Sequence, residues 1–173
     1  MKIVVLGAGA IGSFLGGLLS KKNDVILVGR KNHVDAINND ALRINGKTLL
    51  KRKINAVETV QEISDSPDLL ILTVKAFDTL PAIKQAKEII NPKTVVLSLQ
   101  NGLNNIEKIK QVVPKNQIIA GVTTHGVQFV KPGIVYHKGM GVLVIGEPSK
   151  KITKRIQQIA SCFRNSGISL DIS

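Results

Sequence analysis

The sequence predicts an α/β domain built on a doubly wound, mostly parallel sheet with antiparallel additions. Three observations carry this prediction. Short apolar runs at 2–7 (K-I-V-V-L-G), 24–29 (D-V-I-L-V-G), 67–75 (P-D-L-L-I-L-T-V-K) and 94–102 (T-V-V-L-S-L-Q-N-G) read as strands, near-continuously hydrophobic as strands covered on both faces are. Segments of helical spacing alternate with them, in the β-α-β order that a parallel sheet requires. The composition agrees: 43% of the 173 residues are hydrophobic but only 3% aromatic, so the core is Val, Ile, Leu and Ala, within one domain's length of chain.

Each element has its own signal. After the first strand, Ile11, Leu15, Leu18 and Leu19 recur at helical spacing from Ala10 to about Lys21, and 24–29 completes a β-α-β unit of about 30 residues. The stretch 42–57 changes character. Asn45-Gly46 lies between extended segments, a hairpin signal, and predicts an antiparallel excursion. A helix follows the 67–75 strand through T-L-P-A-I-K-Q-A-K-E-I-I, with Pro81 in its first turn. The 94–102 strand leads to a helix over Asn104–Val112, and 116–126 (N-Q-I-I-A-G-V-T-T-H-G) to a further strand and loop. Residues 127–146 alternate and are broken by Pro-Gly and Gly-x-Gly, which predicts antiparallel strands. A final helix is expected over 150–165 with Ile152, Ile156, Ile159 and Phe163 on one face, and I-S-L-D-I-S begins another strand.

Several function classes are disfavoured. No apolar run reaches the roughly 20 residues that span a bilayer, and the start is too short and Gly-punctuated for a signal peptide. One cysteine, Cys162, forms no internal disulfide and fits a reducing compartment, so a soluble, cytoplasmic protein is expected, with no membrane partner. The net charge of +12 is spread along the chain, with clusters at 47–53 and 150–155. Neither cluster interleaves aromatics, and no zinc-finger, RRM or KH motif is present, so a solvated basic face is expected and no nucleic acid partner. No metal site is expected.

The chemistry starts at G-A-G-A-I-G, residues 7–12, between the first strand and the first helix. Gly7 permits the tight turn, Gly9 lets backbone approach a pyrophosphate, and Gly12 lets helix and strand pack closely. The helix N-terminus offers N–H groups and a positive dipole end to the phosphates. A purely structural glycine turn is the alternative, but the flanking strand and helix supply the context that a Rossmann-type dinucleotide site needs. The second strand of such a site ordinarily ends in an acid for a ribose hydroxyl. Here it ends in Gly29, Arg30 and Lys31. An acid would repel a 2′-phosphate, whereas Arg30 offers it a charge-assisted fork and Lys31 a second positive charge. The expected cofactor is NADP(H); an arginine merely exposed at a strand end is the bland alternative. Polar residues also fall at later strand ends: Lys75, Asn101, and Thr123 to His125. Ligands bind beyond such ends in open α/β sheets.

G-A-G-A-I-G, L-T-V-K-A-F-D-T, S-L-Q-N-G-L-N-N-I-E and G-V-T-T-H-G, in this order, resemble the ketopantoate reductases (2-dehydropantoate 2-reductases), over the whole chain. The resemblance implies NADPH-dependent reduction of a small 2-oxo acid, 2-dehydropantoate, to a 2-hydroxy acid, pantoate, on the way to pantothenate and coenzyme A. It implies that Gly7, Ala8, Gly9, Ala10, Ile11 and Gly12 cradle the pyrophosphate, that Arg30 with Lys31 holds the 2′-phosphate, and that Lys75 lies beside the cofactor. Asn101 would touch nicotinamide riboside and substrate, and the backbone at Val127 would touch the cofactor. His125 is expected to shape its loop without proton transfer.

Family members carry a second, helical domain whose lysine, in a W-x-K-L context, protonates the alkoxide. This sequence has no Trp. No catalytic residue is therefore assigned here; the family lysine would lie beyond Ser173. Residues 1–167 are expected to form the NADP-binding Rossmann domain and 168–173 to begin the connection to the helical substrate domain, absent from this chain. Such a chain would be a fragment of a longer reductase or a natural cofactor-binding remnant. A non-catalytic nucleotide-sensing Rossmann module is the rival reading.

Overall fold

The computed structural model describes residues 1–102 and 104–173; Leu103, within the S-L-Q-N-G-L-N-N-I-E motif, lies outside them. Strands β1 (Lys2–Leu6) and β2 (Asp24–Val28) flank helix α1 (Ala10–Leu19), and α2 (Lys31–Asn39) follows. Next come β3 (Leu42–Gly46), β4 (Leu50–Arg52), β5 (Asn55–Val57), β6 (Leu69–Leu72), α3 (Thr79–Ala86), β7 (Val95–Ser98) and α4 (Asn105–Lys110). The chain ends with β8 (Ile118–Thr123), β9 (Gly126–Lys131), β10 (Ile134–Gly139), β11 (Leu143–Gly146), α5 (Lys154–Asn165) and β12 (Asp171–Ile172).

The main sheet has the order β12-β11-β8-β7-β6-β1-β2-β5. Six of its strands, β5 through β8 in that order, are parallel. The reversed pair, β11 and β12, adds antiparallel to β8. From β1 the chain winds outward through β2 and β5, then returns to β6 on the other side of β1. That reversal is the switch point beside which α/β sheets bind ligands.

Period-2 alternation divides the aliphatic core between the two faces. Ile3, Val5, Leu69, Ile71, Leu97 and Ile119 pack with Phe14 and Leu15 of α1 and Ile159 and Phe163 of α5. Val4, Leu6, Leu70, Leu72, Val96 and Ile118 face Ile83 and Ala86 of α3 and Ile109 of α4.

The expected antiparallel additions are present, but most form a second sheet of order β4-β3-β10-β9 laid over α1. A Cβ at Gly17 would meet Ile44 Cδ1 at 2.9 Å and Leu42 Cδ2 at 3.0 Å, so glycine sets the closeness of that contact. The hairpin after Asn45-Gly46 exists as β3–β4, yet it is no two-residue turn. β3 also pairs in parallel with β10 through Gly46↔His137, which carries it past the Asn-Gly pair before the chain turns back. β5 leaves this excursion to join β2 in parallel.

Two helix starts differ from expectation. Ile152 is 65% exposed and precedes α5, while Ile156, Ile159 and Phe163 are buried as expected. The reason is the N-cap: Thr153 Oγ1 accepts from the Ile156 N–H and donates to Glu147, so the helix starts after it. Helix α4 begins one residue late because Asn104 adopts a left-handed φ of 72°.

Candidate functional site

The glycine turn between β1 and α1 is held from beneath. The N–H groups of Gly7 and Ala8 both donate to the Val28 carbonyl, at 3.1 and 2.8 Å, and Gly9 N–H donates to the Gly7 carbonyl at 2.7 Å. Thr73, at the end of β6, donates its hydroxyl to the same Gly7 carbonyl at 2.8 Å. The turn is thereby fixed between β2 and β6. Of the six residues expected to cradle phosphates, Gly7 and Ala8 have their donors engaged by the sheet. Open donors belong to the first turn of α1, at Ala10, Ile11 and Gly12, because the first N–H groups of a helix lack intrahelical partners. No side chain caps that helix end.

The three glycines have different reasons. Gly7 has φ +111°, and its Cβ would lie 2.6 Å from the Val74 nitrogen. A Cβ on Gly12 would collide with the Gly7 carbonyl oxygen and lie 2.6 Å from Thr73 Oγ1. Gly9 is exposed, and a Cβ there would meet nothing within 4 Å. Its bareness serves nothing within the protein, which fits a backbone left open for a ligand.

Arg30 is the N-cap residue of α2, exposed, and among the described residues no carboxylate lies within ion-pair distance of it. Lys31 differs. Its Nζ lies 3.2 Å from Asp35 and 3.6 Å from Glu58, and the Asp35 hydrogen bond raises its pKa, with charge attraction from both acids adding to the effect. The sequence shows no acid directly after β2, but the fold brings Glu58 there from beyond β5. Of the two basic residues, only Arg30 has an unengaged charge.

The remaining candidates lie at the same C-terminal edge. Lys75 is exposed, with Nζ 5.9 Å from the Phe77 ring centroid. Asn101 is exposed in the loop after β7. Val74 bridges the loops: it abuts Gly7, and its carbonyl accepts from Gln100 at 2.8 Å. Val127 pairs with His137 in the small sheet and packs against the core.

His125 sits under this edge, its ring centroid 5.2 Å from those of Phe14 and His137. Its Nδ1 accepts from the Gly141 N–H at 3.2 Å, which puts the proton on Nε2, a buried atom without a partner among the described residues. Burial, then the charge of His137, lowers its pKa. His33 lies across α1 and α2. Its Nδ1 accepts from Gly133 N–H and its Nε2 bonds Ser13 Oγ, both at 2.9 Å, and burial lowers its pKa. Thr73, Gln100 and His33 are the residues that sequence reasoning missed. Their partners lie 20 to 100 positions away, beyond any local motif. Clefts of about 400 and 570 Å³ lie at the opposite, N-terminal edge and include none of the site candidates.

Residues 3–150 match the family described as ketopantoate reductase PanE/ApbA. The chain belongs to the ketopantoate reductase family. It is 41% identical to a 2-dehydropantoate 2-reductase of Pyrococcus horikoshii over its whole length, which is 56% of that relative. The family fold is equally plain in solved structures. A PanE/ApbA family ketopantoate reductase from Ralstonia eutropha JMP134 superposes with a TM-score of 0.90 at 31% identity, covering 100% of this chain and 56% of that one. A D-mandelate dehydrogenase in ternary complex with NADH and anilino(oxo)acetate does so at 0.91 and 28%, covering 100% and 57%. The chain thus spans little more than half the length of the ketopantoate reductases it matches. Among the described residues no helix is long and apolar enough to cross a membrane, and no cluster of three His, Cys, Asp or Glu could hold a metal ion.

Proposed function

We propose that this chain is the NADP(H)-binding half of an enzyme that reduces 2-dehydropantoate to pantoate, a step toward pantothenate and coenzyme A. The observation that carries the reading is a glycine cradle with a bare Gly9, paired with an unengaged Arg30 at the end of the adjoining strand. In this reading the first-turn N–H groups of α1 hold the pyrophosphate and Arg30 forks onto the 2′-phosphate. Lys75 lies along the cofactor, Asn101 orients nicotinamide riboside and substrate, and the Val127 backbone closes the far side. NADPH, when bound, supplies a hydride for the substrate carbonyl.

Reduction also needs a proton for the developing alkoxide. No residue here matches the family's acid, so we assign that role to a lysine beyond Ser173, with residues 1–167 as the cofactor domain and 168–173 leading to a helical substrate domain. The single cysteine fits a reducing compartment, and we place the enzyme in the cytoplasm. Membership of a reductase family supports an enzyme over a nucleotide-sensing module.

The related mandelate enzyme is named with NADH, and Glu58 stands close to Arg30's neighbour, so cofactor choice is the point to test. Calorimetric titration of the chain with NADPH and NADH is expected to show the tighter binding for NADPH. Equal or reversed affinities would refute the assignment of Arg30.

A further inference from the structure

The loops that carry Lys75 and Asn101 rest on one buried polar cluster. Ser98 donates its hydroxyl to Gln100 Oε1 at 3.1 Å, and Gln100 Nε2 donates to the Val74 carbonyl and to Thr79 Oγ1, both at 2.8 Å. Thr79 Oγ1 in turn lies 3.0 Å from the Ala76 carbonyl and 3.0 Å from Asn105 Oδ1, and donates to one of them. Asn105 Nδ2 donates to the carbonyls of Asn101, at 3.0 Å, and Gly102, at 3.1 Å. From α4, Lys108 Nζ donates to the Ala76 carbonyl at 2.6 Å.

The four uncharged side chains are at most 8% exposed, and none of their buried polar atoms lacks a partner. The amide orientations are dictated, since flipping either would set oxygen against carbonyl oxygen. Most telling is where the cluster grips. It holds the carbonyls on both sides of Lys75, those of Val74 and Ala76, and the carbonyls of Asn101 and Gly102. Two loops from different strands are locked to each other through their backbones, while the Lys75 and Asn101 side chains remain exposed above. An apolar filling of the same volume could be as stable, because polar groups gain little net energy on burial. What a satisfied polar cluster adds is one defined backbone geometry.

We infer that Gln100, Thr79 and Asn105 are positioning residues for the nicotinamide end of the cofactor, acting through the backbones of the Lys75 and Asn101 loops with no ligand contact of their own. The inference rests on the NADP(H) reading above. It predicts a division within the cofactor: the adenosine end, held by the glycine turn and Arg30, is independent of the cluster, and the nicotinamide end is not.

The test uses Thr79→Val, which removes the central hydroxyl at nearly constant shape, and Thr79→Ser, which keeps it. Each is titrated with NADPH and with 2′,5′-ADP, which carries only the adenosine end. Thr79→Val is expected to bind 2′,5′-ADP as the unsubstituted chain does but NADPH about tenfold more weakly, and Thr79→Ser to restore NADPH binding. Unchanged NADPH affinity, or equal losses for both ligands in a folded variant, would overturn the inference. If Thr79→Val does not fold, Gln100→Met carries the same comparison. An unsubstituted chain that binds neither ligand would overturn the cofactor reading itself, and this inference with it.

Discussion

Arg30 and the three glycines make separable claims at the scale of single residues. On the proposed reading Arg30→Ala removes one charge-assisted contact, so NADPH binding should weaken by about 1.5–3 kcal/mol while NADH binding changes little. Lys31→Ala should cost less, because Asp35 and Glu58 already share its charge; a paired titration with both cofactors ranks the two variants. Gly9→Val and Gly12→Ala should separate function from folding. The first enters open space at φ −81°, so it should abolish NADPH binding and lower stability by no more than about 1 kcal/mol, the cost of a poorer N-cap. The second overpacks the helix against the Gly7 carbonyl and Thr73, and should cost about 1–3 kcal/mol in thermal or urea unfolding. The sequence motif marks all three glycines alike; only the packing separates Gly9, where a Cβ would meet nothing, from Gly7 and Gly12, where it would clash.

Between elements, His33 and His125 make stability depend on pH. His33 joins α2, α1 and the β9–β10 turn as a neutral ring, its Nδ1 accepting from Gly133; a proton there removes that bond. Burial lowers the pKa of His33, and burial followed by His137 that of His125, from the ordinary 6.5. Below pH 6.5 the unfolded imidazoles take up protons that the folded rings refuse, so the unfolded state binds more protons and stability falls with pH until the lowered folded values are reached. Unfolding free energy should therefore be flat between about pH 7 and 8 and decline as the pH falls below 6.5, with a shallower decline in His33→Gln. A flat profile down to pH 5 would contradict the neutral-ring account. His33 is visible in the sequence beside Arg30, but its partners Ser13 and Gly133 are 20 and 100 residues away. Helix α1 and strands β1, β2, β6 and β7, by contrast, are written in local periodicity and lie where the sequence puts them, whereas β5, expected in the antiparallel excursion, pairs in parallel with β2.

For the whole molecule, the proposal that the general acid lies beyond Ser173 sets the expected activity. General acid–base catalysis contributes about 10²–10⁴-fold, and orientation by a substrate-holding domain contributes further. Residues 1–173 alone should bind NADPH without appreciable turnover of 2-dehydropantoate, and joining the family's helical portion should restore it. NADPH oxidation followed by absorbance decides this; turnover by the chain alone at a full reductase's rate would contradict it. The mostly parallel sheet, and the strand ends that carry the candidate residues, were legible in the sequence. The second sheet was not, because β3 and β10 meet across about 90 residues, a pairing that local alternation cannot encode. The division of the core into two layers has a further consequence. The glycine turn leads into α1 on one face, while the Lys75 and Asn101 loops lead into α3 and α4 on the other. A dinucleotide lying across the edge would tie both layers together, so opening either would require releasing it. At a free ligand concentration 100-fold above Kd this linkage adds about 2.7 kcal/mol to any opening that expels the ligand. Amide hydrogen exchange should therefore slow on NADPH binding in α3 and α4 as well as in α1, at positions the cofactor never touches.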